Sequence, residues 1–362
     1  MRLLRFAAAT AAASVLALLI PTTATAEPVA TGLGTAFVDD QKDELSDKEI
    51  RALWTSARVE EALRNPAKPA AMRPDPVRSV RSMAPPQNLA ASAPAQGFNA
   101  RTPPTGASTA AEPPPTIPVS QETPAAPQDK VVGKLFFFLP DGTPSHCSAA
   151  SITSANENTI WTAGHCVHLG DGSGDAGWMK HFLYVPGSRN GSEPLGSWTG
   201  AHRFAPTAWT QDGDHDEADM AAIVLNSHAN HGTLVDAVGV AFGYLFTENR
   251  TDYAPVATMG YPMQGYKRAD LDGMRQMYCM GNTTDASPLN PFDDRIKLDC
   301  DMGQGSSGGP FAIQAGPNDP RIVGTNSHYD ADKDTRQRVS DDLFSSEHGS
   351  HAAAVINMAN GV

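Results

Sequence analysis

Residues 303–310 read GQGSSGGP, two adjacent serines set in a run of glycines and closed by a proline. Glycine lets a backbone approach another group closely and turn its N–H groups toward a developing negative charge. A serine hydroxyl is a weak nucleophile near neutral pH. It needs a base to take its proton, and the base needs a partner that fixes its tautomer. Two other stretches offer those residue types. Residues 161–166, WTAGHC, are a β-like run that ends in a small-residue turn carrying His165. Residues 218–225, ADMAAIVL, put Asp219 at the mouth of an apolar strand. Histidine suits the base role because its ordinary pKa is about 6.5.

TAGHC, then D-x-x-x-I-x-L, then SGGP, in that order, resembles the chymotrypsin-like (trypsin-fold) serine peptidases across about residues 130–362. The phrase CDMGQGSSGGPF, together with SAAS after Cys147, is most similar to the secreted bacterial trypsin-like and glutamyl-endopeptidase-like branch. The resemblance implies His165 as general base and Ser307 as nucleophile, because Ser307 directly precedes Gly308-Gly309-Pro310. It implies Asp219 as the orienting acid. Asp212, Asp214, Asp216 and Glu217 crowd the same stretch, but only Asp219 stands six residues before Leu225, as the family requires. The oxyanion hole would be the backbone N–H groups of Gly305 and Ser307.

In the trypsin-like enzymes the residue before the nucleophile is an aspartate that receives the new N-terminal amine on activation. Here it is Ser306, which cannot form that ion pair. Residues 131–133, VVG, resemble the matching N-terminus, so cleavage at Lys130–Val131 is compatible with the sequence, but activation by that switch is not expected. Covering of the cleft by an N-terminal propeptide is the expectation instead. Two specificity readings stand side by side. Asp301 lies six residues before Ser307, where trypsin carries its pocket carboxylate. Ser327 and His328 lie where the family's substrate-lining strand passes, and a histidine in that region binds substrate carboxylates in the glutamate-specific branch.

The rest of the chain fits an exported precursor. Arg2 and Arg5, an apolar run through Ile20 and Ala24-Thr25-Ala26 read as a signal peptide over residues 1–26. Export favours disulfides. The four cysteines allow three pairings; neighbours in sequence give Cys147–Cys166 and Cys279–Cys300, and the first would brace the histidine loop. Residues 27–128 read as a propeptide. A helix-like segment runs from Gln41 to Arg64, with Ser46 and Glu49 in capping-box spacing. Residues 65–128 hold 15 of the 29 prolines and read as an extended, largely disordered linker. Net charge is −13; the first 128 residues carry 12 basic and 12 acidic side chains, and the remainder 15 and 28. So acidic a domain argues against nucleic acid or anionic lipid as partner.

Residues 129–362 show short β-rich runs, at 131–138, 148–153, 159–163, 181–186, 220–226, 256–262 and 321–327, separated by Gly, Pro, Asn and Asp, with one helix pattern near the end, HAAAVINMA (351–359). The runs imply an all-β sandwich or barrel, and the resemblance implies two antiparallel six-stranded barrels with a C-terminal helix. His228 with His231 and the DGSGD stretch at 171–175 are weak metal patterns, and no HExxH exists, so neither metal nor cofactor is expected. The expected activity is that of a secreted, monomeric serine endopeptidase acting on proteins or peptides, inhibited by its own propeptide. A non-catalytic binding protein on a protease scaffold is the competing reading. An α/β esterase would instead run Ser, Asp, His along the chain.

Overall fold

The computed structural model describes residues 37–67, 88–93, 121–122, 127–290, 293–316, 319–332, 334–335 and 337–362. The signal-peptide reading and most of the proline-rich stretch lie outside these residues. The N-terminal part supplies β1 (Val38–Lys42), α1 (Asp47–Leu53), α2 (Ser56–Arg64), β2 (Leu89–Ala91) and β3 (Gln121–Glu122). After the short α3 (Pro127–Lys130) come β4 (Val132–Phe138), β5 (Pro144–Ser151), β6 (Thr159–Thr162), β7 (Lys180–Pro186), β8 (Trp198–Pro206), α4 (Thr207–Asp212) and β9 (Ala221–Leu225). The second half contains α5 (Leu234–Val238), β10 (Gly243–Phe246), β11 (Val256–Gly260), β12 (Met277–Gly281) and β13 (Thr284–Asp285). It ends with β14 (Ile296–Asp299), β15 (Pro310–Gly316), β16 (Asp319–Thr325), β17 (Asp342–Ser345) and α6 (Ser350–Ala359).

Strands β8, β7, β4, β5, β6 and β9 form an antiparallel sheet that closes on itself through β8–β9 pairing, from Gly200 opposite Leu225 to Phe204 opposite Ala222. Closure removes both edges. The run VGKLFFF in β4 is buried along its whole length instead of alternating. Its inner face places Leu135 and Phe137 in the barrel core, and its outer face is covered too. Phe136, with Leu183 and Val185 of β7, packs under Ala62, Val59, Leu63 and Trp54 of the N-terminal helices. The segment read as one helix from Gln41 to Arg64 is thus a strand and two helices. Gln41 and Lys42 belong to β1, which pairs with β8 and ends the first sheet. The Ser46–Glu49 capping box is formed, and Thr55 caps α2 in turn.

The second barrel is built from β11, β12, β15 and β16 in one ladder and β14 with β17 in another, around Val256, Met277, Leu298, Phe311 and Val323. Backbone bonds of Phe344 with Ser327 and His328 join β17 to the end of β16. β10 joins β16 in parallel, β2 pairs with β10, and β3 pairs with β12. The described parts of the N-terminal segment therefore extend both barrels. α6, with Ala352, Val355, Ile356 and Ala359 in the main core, packs on β8 and β9. Both expected disulfides are present, closing separations of 19 and 21 residues. On the chain-entropy account each contributes about 3 kcal/mol. Val132 and Gly133, read as part of a new N-terminus, lie inside β4 between β5 and β7.

Candidate active site

β6 delivers Thr162 to the 3-10 turn Gly164–Cys166, which carries His165 and is tied by Cys166 to Cys147 on β5. Gly164 must be small: a Cβ there would meet the Trp209 ring at 2.8 Å, and that ring from α4 roofs the turn. Asp219, just before β9, reaches His165 twice. Its Oδ1 accepts the His165 backbone N–H at 2.8 Å, and its Oδ2 lies 2.9 Å from His165 Nδ1. Ser327 Oγ donates to Asp219 Oδ2 at 2.5 Å, and the Asp219 N–H donates to Ser346 Oγ. Burial alone would raise this carboxyl. The facing His165 and the hydrogen bonds from His165 and Ser327 outweigh it and hold the pKa down at about 2. His165 Nε2 is buried and has no hydrogen-bond partner among the described residues.

GQGSSGGP packs against the same turn. Gly308, at φ +81°, approaches so closely that a Cβ would meet Thr162 Oγ1 at 2.0 Å and Ser148 O at 2.3 Å. The Ser307 carbonyl accepts the Ser148 N–H at 2.7 Å. Gly305, at φ +93°, is held by Ser148 Oγ donating to its carbonyl, and Met263 N–H donates to the carbonyl of Gln304. Ser306 Oγ donates to Gly303 O at 2.7 Å. A neutral local bond therefore supports the loop at the residue where an ion pair would need a carboxylate. The structure brings His165, Asp219, Ser307, Gly305 and Ser327 into one region.

Two of the other acids near Asp219 are engaged elsewhere. Asp214 caps its own loop by accepting the N–H groups of Asp216 and Glu217, and Asp216 pairs with Arg295 and His215. Asp301 is buried with its Oδ2 3.0 Å from Arg268 Nη1. Both ring nitrogens of His328 are engaged, Nδ1 with Ser327 Oγ at 2.8 Å and Nε2 with Arg295 Nη1 at 2.9 Å. Of the three specificity candidates, Asp301 is thus ion-paired, His328 has both ring nitrogens engaged, and Ser327 donates to Asp219. His228, His231 and Trp198 pack against one another at tilted angles, with ring centroids 4.5 to 6.1 Å apart. Among the described residues, two of three clusters of metal-ligand type consist largely of disulfide-bonded cysteines; the third is Asp299, Asp341 and Asp342, of which Asp342 pairs with Lys297.

Several residues of the site were not legible in advance. Ser148 and Ser346 are ordinary serines in sequence, and Trp209 and Arg295 lie 44 and 130 residues from His165. Ser346 is fixed in turn by His348, whose Nδ1 meets the Ser346 carbonyl at 3.0 Å while Trp161 Nε1 donates to its Nε2.

No protein-family model matches the chain. Among solved structures, the protease Anisep from Arthrobacter nicotinovorans is 30% identical, with a TM-score of 0.56, covering 67% of this chain and 100% of that one. The thermostable serine protease AL20 from an extremophilic microorganism is 27% identical, with a TM-score of 0.55, covering 65% and 99%. An extracellular metalloprotease of Bacillus subtilis (strain 168) is 38% identical over 71 residues, 20% of this chain and 21% of that protein. The chain thus spans about a fifth of the length of that curated relative. The two-barrel fold and the likeness over the whole length of Anisep agree: the chain belongs to the chymotrypsin-like serine peptidases, as a bacterial-type trypsin-like protease that hydrolyses peptide bonds.

Proposed function

We propose that the protein is a secreted serine endopeptidase working through an acyl-enzyme on Ser307, with His165 as general base and Asp219 as its orienting acid. The observation that carries this reading is the state of His165. Asp219 takes up its Nδ1, which leaves the lone pair on Nε2, buried and unpartnered, beside the loop that bears Ser307. His165 Nε2 takes the Ser307 proton as Oγ bonds to the scissile carbonyl carbon. The N–H groups of Gly305 and Ser307 receive the oxyanion. His165 returns the proton to the leaving amine as the C–N bond breaks, and a water activated the same way releases the acyl group.

Export through the N-terminal signal peptide and synthesis as an inhibited precursor complete the reading. Residues 62–67 line the start of β5: Ala67 N–H donates to His146 O at 3.0 Å, and His146 Nδ1 meets Ala62 O at 2.8 Å. The opposite edge of the same imidazole borders the candidate oxyanion loop, since a Cβ on Gly305 would lie 3.1 Å from His146 Nε2. The precursor segment is one side chain away from Gly305, which supports steric control of the cleft in place of an N-terminal ion pair. Pairing of Asp301 with Arg268 supports a pocket without strong preference for Lys or Arg.

The test is labelling by a fluorophosphonate, in which Ser307 Oγ bonds to phosphorus, the P–F bond breaks and His165 takes the proton. Intact-mass analysis should show one adduct, abolished by Ser307→Ala and kept by Ser306→Ala. Absence of label from the folded, disulfide-bonded, propeptide-free protein would favour a binding protein on a protease scaffold.

A further inference from the structure

Arg295, just before β14, is a guanidinium clamped by its surroundings. Its Nε and Nη2 donate to Asp293 at 2.8 and 2.7 Å, Asp216 Oδ1 lies 3.0 Å from Nε, and the Phe344 ring lies 5.5 Å away. Its remaining nitrogen, Nη1, faces His328 Nε2 at 2.9 Å. Arginine offers donors only and stays charged. His328 Nε2 must therefore accept, which puts the single proton of a neutral ring on Nδ1. That Nδ1–H faces Ser327 Oγ at 2.8 Å and must donate to it. With its lone pair so used, Ser327 turns its own proton to Asp219 Oδ2. The direction of every bond from Arg295 to Asp219 follows from the one before it.

We propose that Arg295 and His328 are positioning residues for this reaction: they lock the Ser327 hydroxyl onto Asp219, and through it the orientation of His165. This rests on the triad reading above. Burial, with His215 and Arg295 facing it, keeps the His328 ring neutral, well below the ordinary histidine range. The ring stacks on Phe344 with centroids 5.1 Å apart and meets His215 edge-on at 5.0 Å. The charged and titratable groups around the chain are Asp216, Asp293, Asp330 and His215 on the Arg295 side, and His165 and His348 on the Asp219 side. Without Arg295 the His328 proton is free to move to Nε2. Nδ1 then becomes an acceptor, Ser327 donates to it instead, and Asp219 loses a donor.

The two asparagine and phenylalanine variants of His328 separate this role from packing. Phenylalanine keeps the ring and its stack on Phe344 but offers nothing to Ser327. Asparagine loses the ring but places an N–H where Nδ1–H was. The measurement is the rate of fluorophosphonate labelling against pH in the full, disulfide-bonded protein matured by propeptide removal. His328→Phe and Arg295→Gln should each label ~10- to 100-fold more slowly, the scale of one hydrogen bond to a charged group. The acid limb of their profiles should move to higher pH, because a less neutralised Asp219 holds a proton on the facing imidazole more strongly. His328→Asn should recover most of the rate and the wild-type limb. The inference is overturned if His328→Phe labels like wild type, or if asparagine is slower than phenylalanine. Failure of the wild-type protein itself to label would instead overturn the triad reading.

Discussion

Trp54 offers the most direct measure of how firmly the N-terminal segment is held. Its ring lies 5.7 Å from Phe136 and 4.6 Å from Phe138, and its Nε1 donates to His181 O at 2.8 Å. Half-burial of an aromatic ring of ~200 Å² is worth about 2.5 kcal/mol, and the hydrogen bond about 1 kcal/mol more. Relaxation in the open state returns part of this, which leaves about 3 kcal/mol lost in Trp54→Ala, or ~100-fold in the opening equilibrium. The assay is hydrogen exchange in the Ser307→Ala background, which prevents self-digestion. If residues 38–67 open as one unit, the β1 amides paired with β8 should lose ~100-fold protection while β4 and β5 amides keep theirs. Glu60→Ala, on the exposed face of α2, is the control and should change nothing. Unchanged β1 protection in Trp54→Ala would refute the claim that this ring anchors the segment.

Acid should loosen the same contact. Burial pushes the His146 imidazole down to about 4, with Lys134 adding to the shift and the Ala62 carbonyl opposing it. Opening returns the ring toward about 6.5, so docking is at full strength above that pH and weakens by up to about 3 kcal/mol as pH falls through about 4. Protease sensitivity of residues 62–67 in Ser307→Ala protein should rise over that interval and be flat in His146→Gln. Asp219→Asn should lower kcat on the order of 10⁴-fold with fold intact, since one of the two oxygens that face His165 becomes an NH2 donor, which favours the wrong tautomer; circular dichroism and steady-state kinetics check it. Replacing Cys279 and Cys300 by alanine should cost about 3 kcal/mol, roughly 6–12 °C in Tm for a domain this size by calorimetry. Gly308→Ala should abolish labelling by fluorophosphonate, because its Cβ has no room against Thr162 and Ser148.

The sequence by itself determined the chemistry-bearing residues whose signal is local. TAGHC and GSSGGP are each contiguous because a tight turn and a glycine nest are built by neighbours along the chain. The strand choices at 131–138, 159–163 and 220–226 held to within a residue or so for the same reason: short buried β runs announce themselves by composition. β8, β10, β12, β14, β15 and β17 were not singled out, because polar or glycine-bearing strands lack that signal until a sheet neighbour is known.

Only the tertiary structure decided what crosses between distant segments. Nothing in the run DELSDKEIRALWTSARVEEALR says that its apolar side covers the outer face of β4, and VVGKLFFF, with apolar side chains on both faces and Lys134 on one, gave no sign of which face was awaiting a cover. Nor could spacing reveal what engages Asp301 or His328. Arg268 lies 33 residues from the first, and Arg295 33 from the second. Hydrogen bonds to charged groups depend on position in space to within a few tenths of an ångström, and sequence distance carries no such information. Ser306 shows the division most plainly. Its neutrality, visible in the sequence, excluded the ion pair, while the bond to Gly303 that stands in its place exists only in the folded loop.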